Sequence, residues 1–443
     1  MTNHHLLLIA DSDSQLLACQ ALAQALRQCG ACVTINAIPR EGTPQAVIDA
    51  LKRGGELWSQ TKAQLLRDRR LADFSAIGVY LAGSKLAEFR SSYHRSCDQR
   101  QREVLPLFCG FNGVVLERFE EAIAWRLGYD LICLNGPRDQ ARLEQVLRHT
   151  PFAAQHTVLT GLSRQGGQAP AAPPQVQPQM RERQLVFAEQ VVMPSKPGER
   201  RRMVQLLARL AQRSPHWQVV IKPRVAPHEA TFHSVDTHIA DTLREALGSL
   251  PANLQLSYAP LPELLRQSRL LATVSSTAFF DALDLGCQPV LLGDFGLRQD
   301  LGTPFFAGSG LVRQLGEAED LDALEQGLTI DPAWLHWVGY HPDHSVANLL
   351  AALERRGEQR PDATPLKPSG YVVNAGDLST NQLRCGAENA ISCRDYAEAE
   401  RLLEVALLQR PDNRNIRRRL QAVRYSNRLL RRLALLASPA FRL

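Results

Sequence analysis

Three consecutive hydroxyl residues, Ser275, Ser276 and Thr277, lie between an apolar run that ends at Val274 and an apolar stretch with helical spacing. A helix beginning there would present free backbone N–H groups and the positive end of its dipole, and the hydroxyls would add donors. Because the helix would start at the carboxyl end of a buried strand, the pattern predicts a binding site for one phosphate group. The alternative is that Ser275 or Ser276 only caps the helix.

Two basic residues follow another apolar strand earlier in the chain. Lys222 and Arg224 come directly after the run Val219 to Ile221, and Pro223 restricts the direction in which the chain leaves the strand. Both cations can bind a nucleotide phosphate at the same edge of a sheet as the hydroxyl residues. The alternative for such basic residues is a solvated loop.

Carboxylate and amide side chains end two further strands. Asp11 and Asp13 follow the apolar run Leu6 to Ala10, and either carboxylate can act as a general base toward an acceptor hydroxyl, with Asp13 the first candidate and Asp11 the second. One of these acids can instead only cap the helix that follows. Glu189 and Gln190 end the first strand of the second half of the chain and can hold a polar substrate.

No metal site is predicted. Asp11 and Asp13 imitate the DxD motif of metal-dependent transferases, but they follow the first strand and not a central strand after a nucleotide site. His341 and His344 lack the spacing of zinc ligands, and we interpret them as surface or cap residues at the start of a helix.

These residues require strands that alternate with helices, and the chain shows two such sets. Residues 1–162 form a first lobe, with predicted strands at 6–10, 31–35, 76–81, 104–110 and 130–134 and predicted helices at 14–29 and 116–127. Residues 163–183 are rich in Gly, Pro and Gln and form a predicted linker.

The second lobe is predicted at residues 184–355. Its expected strands are 185–188, 218–221, 254–257, 270–274 and 289–292, and its expected helices are 197–213, 239–247 and 277–285, with a helix at 346–353 that crosses back to the first lobe. The sequence therefore predicts an α/β fold of the GT-B type, with two Rossmann-like doubly wound lobes facing a cleft.

The last part of the chain is different. After a second linker at 356–379, residues 380–443 are predicted to form a small all-α module. Its first two helices carry residues at the positions of one tetratricopeptide-like pair, namely Ala390, Tyr396, Ala399, Ala406, Leu407 and Pro411. A third helix is expected from Arg414 to about Leu436.

Bulk composition limits the classes of protein that remain. The 443 residues favour two or three domains, and 44% hydrophobic and 22% charged residues are typical of globular chains. Nine cysteines without CxxC pairs, and no apolar run long enough to span a bilayer, predict a cytoplasmic protein with reduced thiols.

The net charge of +6 is concentrated near the C-terminus, where residues 401–443 hold eleven arginines against Glu404 and Asp412. No specific nucleic-acid binding is therefore predicted for the lobes. The Arg-rich last helix suits an anionic membrane surface, so the protein can act peripherally at the inner face of the membrane, or it can contact an acidic protein. The alternative is a packed helix with a solvated basic face.

The basic and hydroxyl motifs resemble those of known transferases. Lys222-Pro223 followed by Ser275-Ser276 is similar to the paired His-Pro and Ser-Ser/Thr motifs of bacterial polysialyltransferases and capsule Kdo transferases, which bind the CMP part of the donor. The His of that pair is absent here. The resemblance implies a CMP-linked donor whose phosphate is bound by Lys222 and Arg224.

A second resemblance covers roughly residues 5–355. The segments IADSDSQL, LGYDLI, FAEQVVMPSKPGERRRMVQLL, VVIKPR, LATVSSTAFFDALDLGCQPVLLGDFG and GYHPDHSVANLL are similar to those of a bacterial family of glycosyltransferases whose activity is unassigned. This family implies a GT-B-like fold without indicating a substrate.

We therefore expect an inverting, metal-independent glycosyltransferase without a cofactor. It would move an acidic sugar, sialic acid or another nonulosonate or Kdo, from a CMP donor to a glycan acceptor in the synthesis of a cell-surface polysaccharide or glycoconjugate. Glu189 and Gln190 would hold the sugar. The alternatives are a UDP-sugar, GDP-sugar or CDP-glycerol donor, and a non-catalytic adaptor that binds partners through its helical module.

Overall fold

The computed structural model of the protein describes residues 4–40, 43, 45–116, 119–147, 152, 155–162, 181–191, 193–226, 237–356, 380–392 and 394–438. These residues form two parallel α/β lobes followed by a group of helices. The predicted linkers at 163–183 and 356–379 lie outside the described residues except at their ends.

The first lobe is built from alternating strands and helices. In order these are β1 His5–Ala10, α1 Asp13–Gln28, β2 Cys32–Ala37, α2 Gln45–Gly54, β3 Glu56–Trp58, α3 Lys62–Leu65, β4 Ala76–Tyr80, α4 Ser84–Arg100, β5 Leu107–Cys109, α5 Phe119–Ala124, β6 Leu131–Leu134, α6 Pro137–Leu147 and β7 Thr157–Leu159. All strand pairs are parallel, in the order β3-β2-β1-β4-β5-β6-β7.

The central strand β1 is apolar throughout because both of its faces are covered. Leu6 and Leu8 pack in the core on one face of the sheet, and Leu7 packs in the core on the other. All three side chains have no exposed surface, and burial of each stabilises the fold by about 1.5–3 kcal/mol. A continuous apolar run is therefore what a parallel sheet between two helical layers requires.

The second lobe repeats this plan. It contains β8 Glu182–Ala188, α7 Pro197–Arg213, β9 Gln218–Lys222, α8 Ile239–Leu247, β10 Leu254–Leu256, α9 Leu261–Gln267, β11 Ser268–Thr273, α10 Ala278–Asp284, β12 Gln288–Leu292, β13 Val312–Arg313, α11 Leu321–Gln326 and α12 Pro332–Val338. Its strands are again parallel, in the order β10-β9-β8-β11-β12-β13. Along β8, Leu185 and Phe187 pack on one face, and Val186 packs on the other.

Helix α13, Val346–Arg356, returns the chain to the first lobe. Val346, Leu349 and Leu353 pack in the same core as β1 and β2. The Asn348 side chain also donates a hydrogen bond to the backbone oxygen of Leu159 (3.0 Å). The core of the first lobe is therefore completed by a segment that follows the second lobe in sequence.

The C-terminal helices are α14 Thr380–Ser392, α15 Tyr396–Gln409, α16 Arg414–Arg424 and α17 Arg428–Ala437. Leu383, Leu402, Leu403, Ile416 and Leu420 form part of their shared core. The helical module is confirmed, whereas its likeness to a tetratricopeptide pair stays a prediction. No helix in the described part of the chain has both the length and the apolar character needed to cross a membrane.

The prediction of one continuous third helix is wrong. The chain leaves the helical conformation at Tyr425, and Asn427 starts a new helix by accepting hydrogen bonds from the backbone N–H groups of Leu429 (2.9 Å) and Leu430 (3.2 Å). Asparagine is a favoured N-cap residue because its side chain replaces the missing helical acceptor. Apolar residues alternate with arginines on both sides of the break, so periodicity alone did not reveal it.

Two first-lobe elements are shorter than predicted. The strand expected over 104–110 is restricted to Leu107–Cys109, and the helix expected over 116–127 covers Phe119–Ala124. An apolar run marks which residues are buried, but only the residues that pair with a neighbouring strand form the ladder.

Candidate functional site

Each sheet has one place where the order of its strands reverses. In the first sheet this switch point lies between β1 and β4, and in the second it lies between β8 and β11. Ligands of open parallel sheets bind in the crevice at the carboxyl ends of such strands. Asp11 follows β1, and Gln190 and Ser275 follow β8 and β11, so the structure places these three predicted residues at switch points.

The switch point of the first lobe is spanned by an ion pair. The Lys85 ammonium, near the start of α4, contacts Asp11 Oδ2, and the Asp11 carboxylate is only 7% exposed. The Asp11 backbone N–H donates to Gln15 Oε1 (3.3 Å). The other carboxylate oxygen, Oδ1, is buried and has no hydrogen-bond partner among the described residues. A buried acceptor of this kind is available to a hydroxyl group of a ligand.

Asp13 is the first residue of α1 and is half-buried. The N-cap is Ser12, whose side chain makes no capping hydrogen bond, so neither acid caps this helix. A carboxylate in the first turn interacts favourably with the helix dipole. Within the described ranges, no side-chain hydrogen bond of Asp13 is formed, and its carboxylate stays available at the carboxyl edge of the sheet.

Gln190 spans the switch point of the second lobe. Its side-chain oxygen accepts a hydrogen bond from the backbone N–H of Ser275 (2.9 Å), and its side-chain nitrogen donates to Ser275 Oγ (3.4 Å). The hydroxyl of Thr273 is 3.5 Å from the same oxygen. The amide of Gln190 therefore fixes the turn between β11 and α10.

The hydroxyl turn itself differs from the expected open helix start. The Ser275 N–H is bound by Gln190, the Ser276 N–H donates to Thr273 Oγ1 (3.4 Å), and the Ala278 N–H donates to Ser276 Oγ (3.2 Å). Ser276 thus acts as a local cap, as the alternative interpretation stated. Three of the amides that the sequence suggested for phosphate, those of Ser275, Ser276 and Ala278, are therefore already bonded to side chains within the chain.

Glu189 holds the turn that carries the two basic residues. Its Oε1 pairs with Arg200 Nη2 (2.8 Å), and its Oε2 accepts from the Arg224 backbone N–H (3.1 Å). Lys222 is half-buried and donates to the Pro223 backbone oxygen (2.7 Å), whereas Arg224 is exposed. Since both Glu189 oxygens are bonded, this residue positions the basic turn and is not open to a sugar.

The cleft between the lobes is lined by carboxyl strand ends of the first lobe and by α10 of the second. Tyr80, Asn135 and Thr160 follow or end β4, β6 and β7, and Thr277 and Phe280 face them across a cavity of about 100 Å³. Thr277 is the predicted site residue that lines this cavity. A second cavity, of about 470 Å³, is also lined by residues of both lobes.

Sequence reasoning missed a polar group on the first-lobe side of this cleft. The Asn135 side chain donates to Asp139 Oδ2 (3.0 Å), and Arg138 pairs with Asp139 Oδ1 (3.0 Å). Burial raises the pKa of Asp139, although the nearby Arg138 guanidinium acts in the opposite direction. Arg138 also lies 4.7 Å from the centre of the Phe305 ring, a cation–π contact between the lobes. The signal in the sequence was an Asn that directly follows a predicted strand.

Two Rossmann-like lobes, each with a parallel sheet, define the GT-B class of fold, and this prediction is confirmed. The chain belongs to the family described as "Putative glycosyltransferase (DUF6716)", whose model matches residues 6–355. No curated protein matches the chain in sequence.

Solved structures of similar overall plan are distant. CalG4, the calicheamicin glycosyltransferase, is 14% identical, covers 80% of this chain and 99% of its own, and has a TM-score of 0.44. UDP-GlcNAc 2-epimerase from Neisseria meningitidis is 12% identical, with coverages of 78% and 100% and a TM-score of 0.46. MurG from Acinetobacter baumannii is 11% identical, with coverages of 80% and 100% and a TM-score of 0.44. Similarity at this distance says nothing about the substrate.

Proposed function

We propose that this protein is an inverting, metal-independent glycosyltransferase that moves an acidic sugar from a CMP donor to a hydroxyl group of a glycan acceptor. The proposal rests mainly on one observation: in each lobe, polar side chains contact one another across the switch point of the sheet. These are Asp11 and Lys85 in the first lobe and Gln190 and Ser275 in the second. The first lobe supplies the base and the acceptor site, and the second lobe binds the donor.

The donor phosphate is bound by Lys222 and Arg224 at the exit of β9. Each can give a charge-assisted hydrogen bond to a phosphate oxygen, and the exposed Arg224 guanidinium can bind two oxygens. Thr277, which lines the cavity between the lobes, adds a hydroxyl donor. Gln190 keeps the hydroxyl turn in place, and Glu189 fixes the backbone of the basic turn.

A single phosphate fits this site better than a diphosphate. Contacts to a second phosphate would come from the loop after β12, where Arg298 is already paired with Glu199 (2.5 Å) and with Asp300. In the same loop, Thr303 Oγ1 accepts from the Arg298 N–H (2.8 Å) and is 3.1 Å from the Gly296 backbone oxygen. The Arg298 and Thr303 side chains are therefore already bonded within the loop, which supports a nucleoside monophosphate donor such as a CMP-linked nonulosonate or Kdo.

In the transfer step, Asp13 removes the proton of the acceptor hydroxyl as its oxygen attacks the anomeric carbon. The bond from that carbon to the donor phosphate breaks with inversion, and CMP leaves with the electron pair. Lys222 and Arg224 stabilise the negative charge that develops on the phosphate. Asp11, held by Lys85, orients the acceptor through its free Oδ1 and is the second candidate for the base.

Calorimetry of nucleotide binding tests the donor assignment. CMP and CMP-sugars are expected to bind more tightly than UDP, GDP, their sugars or CDP-glycerol. Lys222→Ala should weaken CMP binding by roughly 10-fold to 100-fold, as expected for a lost hydrogen bond to a charged group. Ser276→Ala should weaken it less, because the Ser276 hydroxyl caps α10. Lys52→Ala, at an exposed lysine of α2, is the matched control.

The same calorimetric measurement distinguishes the alternative functions. Preference for a UDP-sugar, GDP-sugar or CDP-glycerol would replace the CMP assignment while retaining the transferase. Absence of nucleotide binding by folded protein would contradict the transferase and favour the non-catalytic adaptor. Asp13→Asn should lower turnover without changing the affinity for CMP, and an unchanged rate would remove Asp13 as the base.

Contact with an anionic membrane at the inner face of the membrane is also part of the proposal, with α17 as the contacting helix. This helix contains no buried residue, and Leu429, Leu430, Leu433 and Leu436 are all more than half exposed. Basic residues Arg428, Arg431 and Arg432 flank them. Exposed leucines beside arginines are typical of helices that lie in the interface of an anionic bilayer.

A further inference from the structure

A cluster of imidazole groups lies at the connection between α12 and α13, away from the switch points. His336 is in the last turn of α12, and Gly339 follows with a φ of +103°, a left-handed conformation that ends the helix and reverses the chain. This reversal brings His341 and His344 back beside His336. The sequence separates these residues irregularly, so the cluster is a product of the turn.

The side chains converge at metal-ligand distances. One ligand atom from each of His336, His341 and Asp343 lies within 4.8 Å of the others, and His341 Nδ1 is 3.4 Å from Asp343 Oδ2. Ligands about 2.0–2.1 Å from a tetrahedral zinc ion are themselves roughly 3.3 Å apart. The His341–Asp343 pair meets that value, and His336, which is exposed, can close the remaining gap by side-chain rotation.

The distances between the imidazole ring centroids can be compared with those of imidazoles bound to one metal ion. Ring centroids are 4.7 Å apart for His336 and His341, 5.0 Å for His336 and His344, and 6.0 Å for His341 and His344. Imidazoles bound to one tetrahedral zinc through nitrogen have centroids roughly 5 Å apart. The His336 and His341 rings, at 4.7 Å, therefore have the separation expected of two ligands that share one ion.

His344 is the buried member of the cluster and corrects its interpretation as a surface residue. The residue is 6% exposed, and its Nε2 has no hydrogen-bond partner within the described part of the chain. A buried imidazole with an unused ring nitrogen can serve as a metal ligand.

The cluster lies where the two lobes are joined. Trp334 and Leu335 of α12 pack in a core of the second lobe, whereas α13 packs in the first. Between them, the Gly339 backbone oxygen accepts from the Leu162 N–H (3.0 Å). An ion bound by residues on both sides of Gly339 would fix the angle between α12 and the returning chain.

We propose that His336, His341 and Asp343 bind one divalent transition-metal ion of the zinc type, with the fourth coordination position facing His344. Two imidazoles and one carboxylate suit zinc, nickel or copper, whereas magnesium and calcium require oxygen ligands. The ion stabilises the joint between the lobes and takes no part in sugar transfer. The Asp343 N–H donates to His341 Nδ1 over 3.3 Å, a long hydrogen bond that the metal replaces.

The test uses the full-length chain without an affinity tag, after treatment with a chelator. Zinc is titrated by calorimetry, and thermal unfolding is followed with and without one equivalent of zinc. We expect one zinc ion per chain and a rise in Tm, with no comparable effect of magnesium. His336→Ala and His341→Ala should each abolish the rise in Tm, because each removes a ligand. His216→Ala, at an exposed histidine of the second lobe, should leave it unchanged.

Two further experiments separate this site from other zinc-binding groups. Cys29 and Cys32 are exposed thiols that can bind zinc on their own, so the double variant Cys29→Ser/Cys32→Ser should still bind one equivalent. Cobalt should give the visible absorption of a tetrahedral site in the parent chain and lose it in His336→Ala. Weak binding of several ions that is equal in all variants, or a rise in Tm that survives His336→Ala, would overturn the proposal. CMP binding measured without metal is independent of either result.

Discussion

At the scale of single residues, polar groups at strand ends mostly bind one another before any ligand arrives. Glu189 shows this clearly: its two oxygens bind Arg200 and the Arg224 N–H, and its exposure is only 7%. The type and position of the residue suggested contact with a sugar. Its partners, which lie in α7 and after β9, make it a fixed support for the basic turn instead.

Loss of one partner of this buried pair should be costly. Glu189→Ala leaves the Arg200 guanidinium buried without its carboxylate, so we expect the free energy of unfolding to fall by about 3–5 kcal/mol. The double variant Glu189→Gln/Arg200→Met should lose less than the sum of the two single changes. Urea unfolding at pH 7 compares the parent chain, Glu189→Ala, the two single variants Glu189→Gln and Arg200→Met, and the double variant.

The exposed pair of Asp241 and Arg244 supplies the control. Their side chains are 2.8 Å apart but 46% and 72% exposed, so Asp241→Ala should change the free energy of unfolding by less than about 1 kcal/mol. Equal effects of Glu189→Ala and Asp241→Ala would contradict the structural role of Glu189.

At the scale of elements, α17 is a helix whose apolar face is largely exposed. It is tied to the module through Arg431, which lies 4.1 Å from the centre of the Tyr396 ring, and through Leu435, which packs on the shared core. The opposite face, with Leu429 and Leu433, stays exposed. A helix with only a solvated basic face would not expose this row of leucines.

Vesicle sedimentation tests this face. The chain should bind vesicles that contain phosphatidylserine and not vesicles of phosphatidylcholine alone, and salt should weaken binding. Leu429→Gln with Leu433→Gln should reduce binding about tenfold or more, because their apolar area no longer enters the interface. Leu408→Gln, at a leucine of α15 that is 79% exposed, is the control. Absence of binding to either vesicle type would contradict the membrane contact and favour an acidic protein as the partner, whereas equal binding to both would show that the arginines contribute nothing.

At the scale of the whole molecule, the two lobes depend on each other through α13, whereas the C-terminal module has a core of its own. Leu349 has no exposed surface and packs with strands of the first lobe. The buried residues of the C-terminal core all come from 383–423, with Leu435 packed against them. The first lobe is therefore not continuous in sequence, because it includes α13, whereas the C-terminal module is a continuous segment.

A pair of truncations tests this dependence. A chain ending at residue 360 keeps α13 and should unfold cooperatively with CMP binding intact. A chain ending at residue 345 lacks α13, exposes the first-lobe core to water, and should be aggregated or markedly less stable to urea. Circular dichroism and size-exclusion chromatography compare the two. Similar stability of both chains would show that α13 is dispensable.

The sequence by itself determined which segments are buried and in which secondary structure. The helices at 197–213 and 239–247 have the predicted bounds, because burial imposes a periodic pattern that is local along the chain. The βαβ alternation likewise predicted two parallel sheets and hence the carboxyl edges at which the candidate residues lie. Helices α2, α4 and α6 went unpredicted. So did short elements such as α3, α9 and α12, in which seven or fewer residues carry little periodicity.

Only the tertiary structure decided which polar groups bind one another. Gln190 and Ser275 are 85 positions apart, and Asp11 and Lys85 are 74 apart, yet each pair meets because strand order places their strands side by side. The histidine cluster likewise depends on one left-handed glycine at 339. Hydrogen bonds and ion pairs act over a few ångströms in space, and the distance along the chain does not encode that proximity. The sequence therefore predicts the sheet edges at which the candidate residues lie, and the packed fold decides which strand ends meet and which side chains bind one another there.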